Sequence, residues 1–275
     1  MSMRTSKVYL FFLLVLLLFS FLIRLIGWDD PSFGHHIFRQ LYTLNNIENY
    51  MREGIKLLEP SGYYFFGWEQ SPLLIEFPIY QALSAWISGF TKTILSTSRS
   101  INLFFSLLTL LVVFQIAITQ FNRETAIYSI LFFAFSPLNL IYQSAVLFDI
   151  STVFFASLSY WIVARYIQGK CSKTLLFIFL FAGLYSVLTK PLYFLPAGVL
   201  IATHFIQQWK RPRTKNLLDY FIRHQKIIGL FVLIILVMFL WVEVQKQVNS
   251  SSYNALEYLS LQHLYDLIFY ARILF

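Results

Sequence analysis

The chain has 275 residues, of which 58% are apolar and 12% charged; a soluble domain carries about 25% charged residues, so the surplus apolar surface must meet lipid. The net charge of +8 would fit a nucleic-acid binder, but the basic residues fall where membrane topology puts them. The lone Cys171 excludes an intrachain disulfide, and no CxxC or Cys/His spacing marks a structural zinc site.

The expected architecture is an all-α polytopic membrane protein. In chain order, Arg4 and Lys7 precede an apolar run at 8–27 that resembles a signal peptide but is too long and lacks a small-residue cleavage site, so it reads as an uncleaved first span. Further runs able to cross a hydrocarbon core of roughly 30 Å in about 20 residues lie at 101–119, 125–147, 151–168, 174–190, 192–208 and 227–244. An eighth segment, 78–95, has the right length but carries Gln81, Ser84, Ser88, Thr91, Lys92 and Thr93.

Lysine and arginine accumulate in short cytoplasmic loops. With the N-terminus inside and 78–95 not crossing, the cytoplasmic pieces hold 12 of the 21 basic residues and only two of the 13 acidic ones, Glu124 and Asp219. If 78–95 crosses, Arg165, Lys170 and the basic cluster at 209–226 move outside, against the rule. Segment 78–95 is therefore expected to be an interfacial or shallow re-entrant helix, and the count becomes seven spans. Almost everything acidic then faces one external compartment: the first loop at 28–100, the Phe148-Asp149 turn, the Thr189-Lys190-Pro191 turn and the segment after residue 244. The module is expected to occupy 1–244, with 245–275 as the start of a second external loop, cut short at Phe275.

The first external loop holds most of the candidate chemistry. Asp29-Asp30-Pro31-Ser32 signals a turn, and 39–53 reads as a helix closed by Gly54. Leu41, Leu44, Ile47 and Met51 recur at helical spacing, which would lay one apolar face on the bilayer. Tyr63, Tyr64, Phe65, Phe66 and Trp68 read as interfacial aromatics.

Each candidate carries a plain structural alternative. Asp29 and Asp30 are candidate catalytic bases or turn caps. His35 and His36 are candidate substrate or anion contacts, metal ligands, or solvated loop residues. Arg39 is placed to clamp a phosphate or to snorkel. Glu76 sits in Leu73-Leu74-Ile75-Glu76-Phe77-Pro78; a buried, unpaired carboxylate there costs several kcal/mol or takes up a proton, so it needs a cation, a metal or a function. Asp149 is a site acid or a helix cap, and Lys190 a phosphate partner or an interfacial lysine. Glu257, His263 and Asp266 in the C-terminal segment are read as amphipathic-helix residues. Such a set suits group transfer from a lipid phosphate, with a carboxylate as base and Arg, Lys or a divalent metal ion steadying the leaving phosphate. No P-loop or GxGxxG accompanies it, which disfavours nucleotide-driven pumping.

Gly34-His35-His36-Ile37-Phe38-Arg39-Gln40, then Ile75-Glu76-Phe77-Pro78-Ile79-Tyr80, then Ser136-Pro137 through Phe148-Asp149, then Leu188-Thr189-Lys190-Pro191 together resemble the membrane glycosyltransferases of the GT-C superfamily. The similarity is to the bacterial branch related to protein O-mannosyltransferases and the lipid A aminoarabinose transferase, and it spans 8–244. It implies a seven-span module, a polyprenyl-phosphate-linked sugar donor, an envelope glycan, lipid or protein acceptor, and inverting transfer at the periplasmic face of a bacterial inner membrane. By position, Glu76 matches an acid that contacts a metal in aminoarabinose transferases, and Asp149 an acid of the second external turn. The mannosyltransferases' acidic pair is Arg39-Gln40 here, and Tyr42 stands where a related subset often has Asp. The base is therefore sought at Asp29, Asp30 or Glu76, with His35, His36, Arg39, Gln40, Asp149 and Lys190 toward donor phosphate or substrate. The rival expectations are a flippase or transporter of lipid-linked sugars and an inactive, shortened family member acting as assembly partner.

Overall fold

A computed structural model describes residues 3–26, 28, 36–58, 61–63, 70–72, 74–209 and 217–249. The described chain is almost entirely helical: α1 (Met3–Ile23), α2 (Ile37–Glu53), α3 (Ile79–Thr91), α4 (Ile94–Gln120), α5 (Arg123–Phe135), α6 (Pro137–Ser144), α7 (Asp149–Ile167), α8 (Lys173–Thr189), α9 (Leu195–Trp209) and α10 (Leu217–Asn249). A 3-10 turn at Pro191–Phe194 links α8 to α9, and a short antiparallel ladder pairs β1 (Ser61–Tyr63) with β2 (Gln70–Pro72).

Among the described residues, α4, α7 and His224–Asn249 of α10 are long and apolar enough to cross a membrane. A fourth crossing results if α5 and α6, bent by 53°, count as one. The described apolar part of α1, Phe11–Ile23, and α8 are shorter. Outward-facing Phe11, Phe132, Phe177, Phe181, Phe239 and Leu240 give several helices an apolar outer surface, as contact with lipid requires.

Local sequence explains where elements start and stop. Asn122 Oδ1 accepts the Thr125 N–H at 2.8 Å and Ser172 Oγ accepts that of Leu175 at 3.2 Å, so two of the short turns are built by side-chain caps. Gly54 ends α2 at φ 89°, a conformation that costs glycine little. The segment expected to span as 125–147 instead breaks at Ser136-Pro137, because Pro137 has no N–H to continue the ladder and serves as a first-turn residue of α6.

Two faces differ from expectation. In α2 the polar residues Gln40, Thr43, Asn46 and Asn49 are buried together with Ile47 and Tyr50, while Phe38 and Met51 are exposed. The helix docks on the bundle through a mixed polar face, and Ile47 packs with Tyr80, Ile101, Val146 and Phe148 instead of lying on the bilayer. In α3, likewise, Gln81, Ser84 and Ser88 turn inward and Trp86 and Phe90 outward. At 13 residues, α3 reaches only about 20 Å, too short to cross. A second core joins α7 to α10 through Ile162, Phe179, Phe194, Ile227 and Ile234, with Gly183 letting α8 approach α10: a Cβ there would lie 2.5 Å from Ile234 Cδ1.

Candidate functional site

The 74–78 segment carries Glu76 and is held from two sides. Asn249 Oδ1 accepts the Leu74 N–H at 2.8 Å and its amide donates to Leu74 O at 3.0 Å, while Gln245 Nε2 donates to Ile75 O at 2.6 Å. From the other side, the Phe77 N–H donates to Leu188 O at 3.0 Å. The last turns of α10, beyond the expected module boundary at 244, are thus what fixes Glu76 in place. The 144–148 segment is held in the same manner. Arg99 Nε donates to Ser144 O at 2.9 Å, and Asn102 Nδ2 to Ala145 O at 2.6 Å and Leu147 O at 3.0 Å. Gln40, expected to touch substrate, is buried and accepts the Val146 N–H at 3.0 Å; it positions this backbone.

These two segments bring four charged residues around Phe148. Arg39 Nη2 lies 3.5 Å from Glu76 Oε2, and Gln81 Nε2 donates to Glu76 Oε1 at 3.0 Å. Lys190 Nζ forms an ion pair with Asp149 Oδ1, toward which the Tyr193 hydroxyl donates at 3.5 Å. The guanidinium carbon of Arg39 sits 4.9 Å from the Phe148 ring centre and Lys190 Nζ 5.5 Å from it, so one buried ring receives two cations. Asp149 opens α7, where the helix dipole favours an anion. Arg39, Glu76, Asp149 and Lys190, spread over 150 residues of sequence as separate candidates, form one site.

Exposure divides them by charge. The Arg39 and Lys190 side chains are 32% and 27% exposed, those of Glu76 and Asp149 only 2% and 4%. A ligand arriving from outside meets the cations first, with the carboxylates behind. Asp149 Oδ2 and Arg39 Nε are buried without a hydrogen-bond partner among the described residues, so each acid–cation pair keeps one bonding position unused. His36 lies at the rim in a left-handed conformation (φ 57°), its ring 6.2 Å from that of Tyr142.

Burial pushes the Glu76 carboxyl above the ordinary carboxylate range; Arg39 and the Gln81 amide pull it back, and Asp149 pushes it up further. Because the folded value is raised, Glu76 favours folding most below the unfolded value of about 4.3, and that contribution is lost as pH rises through the folded value. Relative to Glu76→Gln, the wild-type thermal midpoint in detergent should therefore decline across that interval. A wild-type midpoint that rises relative to the variant would contradict this assignment.

Both Glu76 oxygens have donors and one Asp149 oxygen is taken by Lys190. Among the described residues no group of three His, Cys, Asp or Glu is placed to hold a metal ion. Asp29, Asp30, His35, Glu257, His263 and Asp266 lie outside the described residues, as do most of the interfacial aromatics at 63–68. Sequence reading missed Arg99, Asn102, Gln81, Tyr193, Gln245 and Asn249. One signal was available: Arg99 and Asn102 stand one turn apart at the polar start of an otherwise apolar helix. No protein-family model, curated protein or solved structure matches the chain.

Proposed function

We propose that this membrane protein is a glycosyltransferase that moves a sugar from a polyprenyl-phosphate donor to an envelope glycan, lipid or protein acceptor. The observation that carries the reading is the pair of part-exposed cations, Arg39 and Lys190, standing in front of two buried acids. In this mechanism the two cations hold the donor phosphate, Arg39 by its planar fork and Lys190 as a point charge. The acceptor oxygen bonds to the anomeric carbon as the bond from that carbon to phosphate oxygen breaks. The acceptor proton passes to a carboxylate, and the polyprenyl phosphate leaves with its added negative charge beside Arg39 and Lys190. Asp29 or Asp30 serves as base, with Glu76, whose burial raises its basicity, as the other candidate; Asp149 orients Lys190. Inversion follows from a single displacement. The reading includes the seven-span GT-C module, with α2 and α3 as its external helices, in a bacterial inner membrane with the N-terminus inside.

A carrier of lipid-linked sugars is the second reading. The broken α5–α6 pair and the buried Arg24 and Arg99 favour it, since carriers use interrupted helices and charges inside the bundle.

The test compares transfer of label from radiolabelled polyprenyl-phosphate sugars in membranes carrying the wild type, Asp29→Asn, Asp30→Asn or Glu76→Gln at matched expression. Loss of the base should lower transfer by about 10²–10⁴-fold. Equal transfer by all three variants would overturn the carboxylate-base mechanism.

A further inference from the structure

The outer side of the α3–α4 hairpin carries a groove of about 500 Å³ that the proposed chemistry does not use. Its walls change character along its length. Near the hairpin turn it is lined by Thr91, Thr93, Ser96 and Ser100, and further down by Leu83, Ile87, Phe104 and Phe105. From Thr93 to Phe105 the chain rises about 18 Å, so the groove runs from the start of α4 into the first turn of its expected crossing at 101–119. Leu83 and Ile87 lie on a different side of α3 from Gln81, which faces Glu76, so the groove does not open into the four-charge site.

Surface and charge together identify the occupant. The exposed rings of Trp86, Phe90 and Phe104 belong to the same two helices, making the groove continuous with the apolar surface that α4 presents to lipid. At its hydroxyl-lined end stands the exposed Lys92, and α4 begins there with no acidic residue in its first turn and no side-chain cap on its N–H groups. Lys92, between the lining residues Thr91 and Thr93, joins a helix's positive end and several hydroxyls at the polar end of an apolar slot. Among the described residues no acidic side chain lines the groove.

We propose that this groove binds one anionic glycerophospholipid of the surrounding bilayer, its acyl chain between Leu83, Ile87, Phe104 and Phe105 and its phosphate beside Lys92. Ile101 forms part of the groove wall and also packs in the cluster that holds Phe148. The bound lipid therefore stiffens the cluster behind the site as well as filling a gap.

The test uses the purified full chain in detergent, with phosphatidylglycerol or phosphatidylcholine added and lipid retention read by native mass spectrometry. Wild type should retain one phosphatidylglycerol. Phosphatidylcholine, or the Lys92→Gln variant with phosphatidylglycerol, should give roughly five-fold lower retention, as one lysine near an anionic headgroup implies. Ser100→Phe, which fills the groove, should lose the retained lipid while keeping the lipid-free thermal midpoint. Equal retention of the two lipids, or retention by Lys92→Gln equal to wild type, would overturn the proposal even if Ser100→Phe fails to fold. The readout is lipid bound, so it stands or falls separately from sugar transfer.

Discussion

Replacing Lys190 with Met should destabilise the protein by about 3–5 kcal/mol, the cost of leaving a buried charge without its partner. Asp149 is 4% exposed and its Oδ2 has no hydrogen-bond partner among the described residues, so removal of Lys190 strands a buried carboxylate. The Tyr193 hydroxyl, 3.5 Å from Oδ1, the oxygen that Lys190 holds, is too long a contact to replace an ammonium. Asp149→Asn in the Lys190→Met background should recover most of the loss, since two neutral groups in the same space carry no desolvation penalty. Thermal unfolding of the detergent-purified single and double variants measures the coupling directly. Additive effects of the two substitutions would show that the ion pair is not the unit holding the α7 and α8 ends together.

The second large effect is on transfer. Arg39→Ala should reduce it by about 10²–10³-fold, the magnitude typical of losing one donor aimed at developing charge. Arg39→Lys should restore only a small part. Nη2 is committed to Glu76 at 3.5 Å, the guanidinium plane packs 4.9 Å over Phe148, and Nε is unused; a single ammonium cannot serve acid, ring and phosphate at once. Glu76→Gln in the Arg39→Ala background restores stability, and transfer stays well below that of Glu76→Gln alone if Arg39 serves the donor. If the double variant transfers as well as Glu76→Gln alone, Arg39 does no more than neutralise Glu76.

Much of this site was legible residue by residue and very little of it as a constellation. An acid inside an apolar run, as at Glu76, or between two spans, as at Asp149, is visible because burying a lone charge is costly. The pairing is not visible: nothing local at Glu76 indicates that its cation comes from α2, or at Asp149 that its partner follows α8. The α2 pattern misled for a related reason. Its apolar spacing is real, but the face that docks is decided by Gln40 reaching the Val146 N–H, 106 residues away. The run at 125–147 is apolar enough to read as one span through Pro137, where the helix breaks. Nothing local marks Asn249, whose two hydrogen bonds to the Leu74 backbone join residues 175 apart in sequence.

In the proposed mechanism the cations around Phe148 serve bond breaking at a lipid phosphate. The most direct measurement incubates the purified chain in sealed proteoliposomes with radiolabelled polyprenyl-phosphate sugars and an envelope acceptor fraction, following labelled acceptor and free polyprenyl phosphate together. The predicted result is one polyprenyl phosphate released for each label transferred, with both lost in Arg39→Ala. Movement of intact sugar–phosphate lipid across the bilayer without release, or no change in any donor from folded protein, would contradict it.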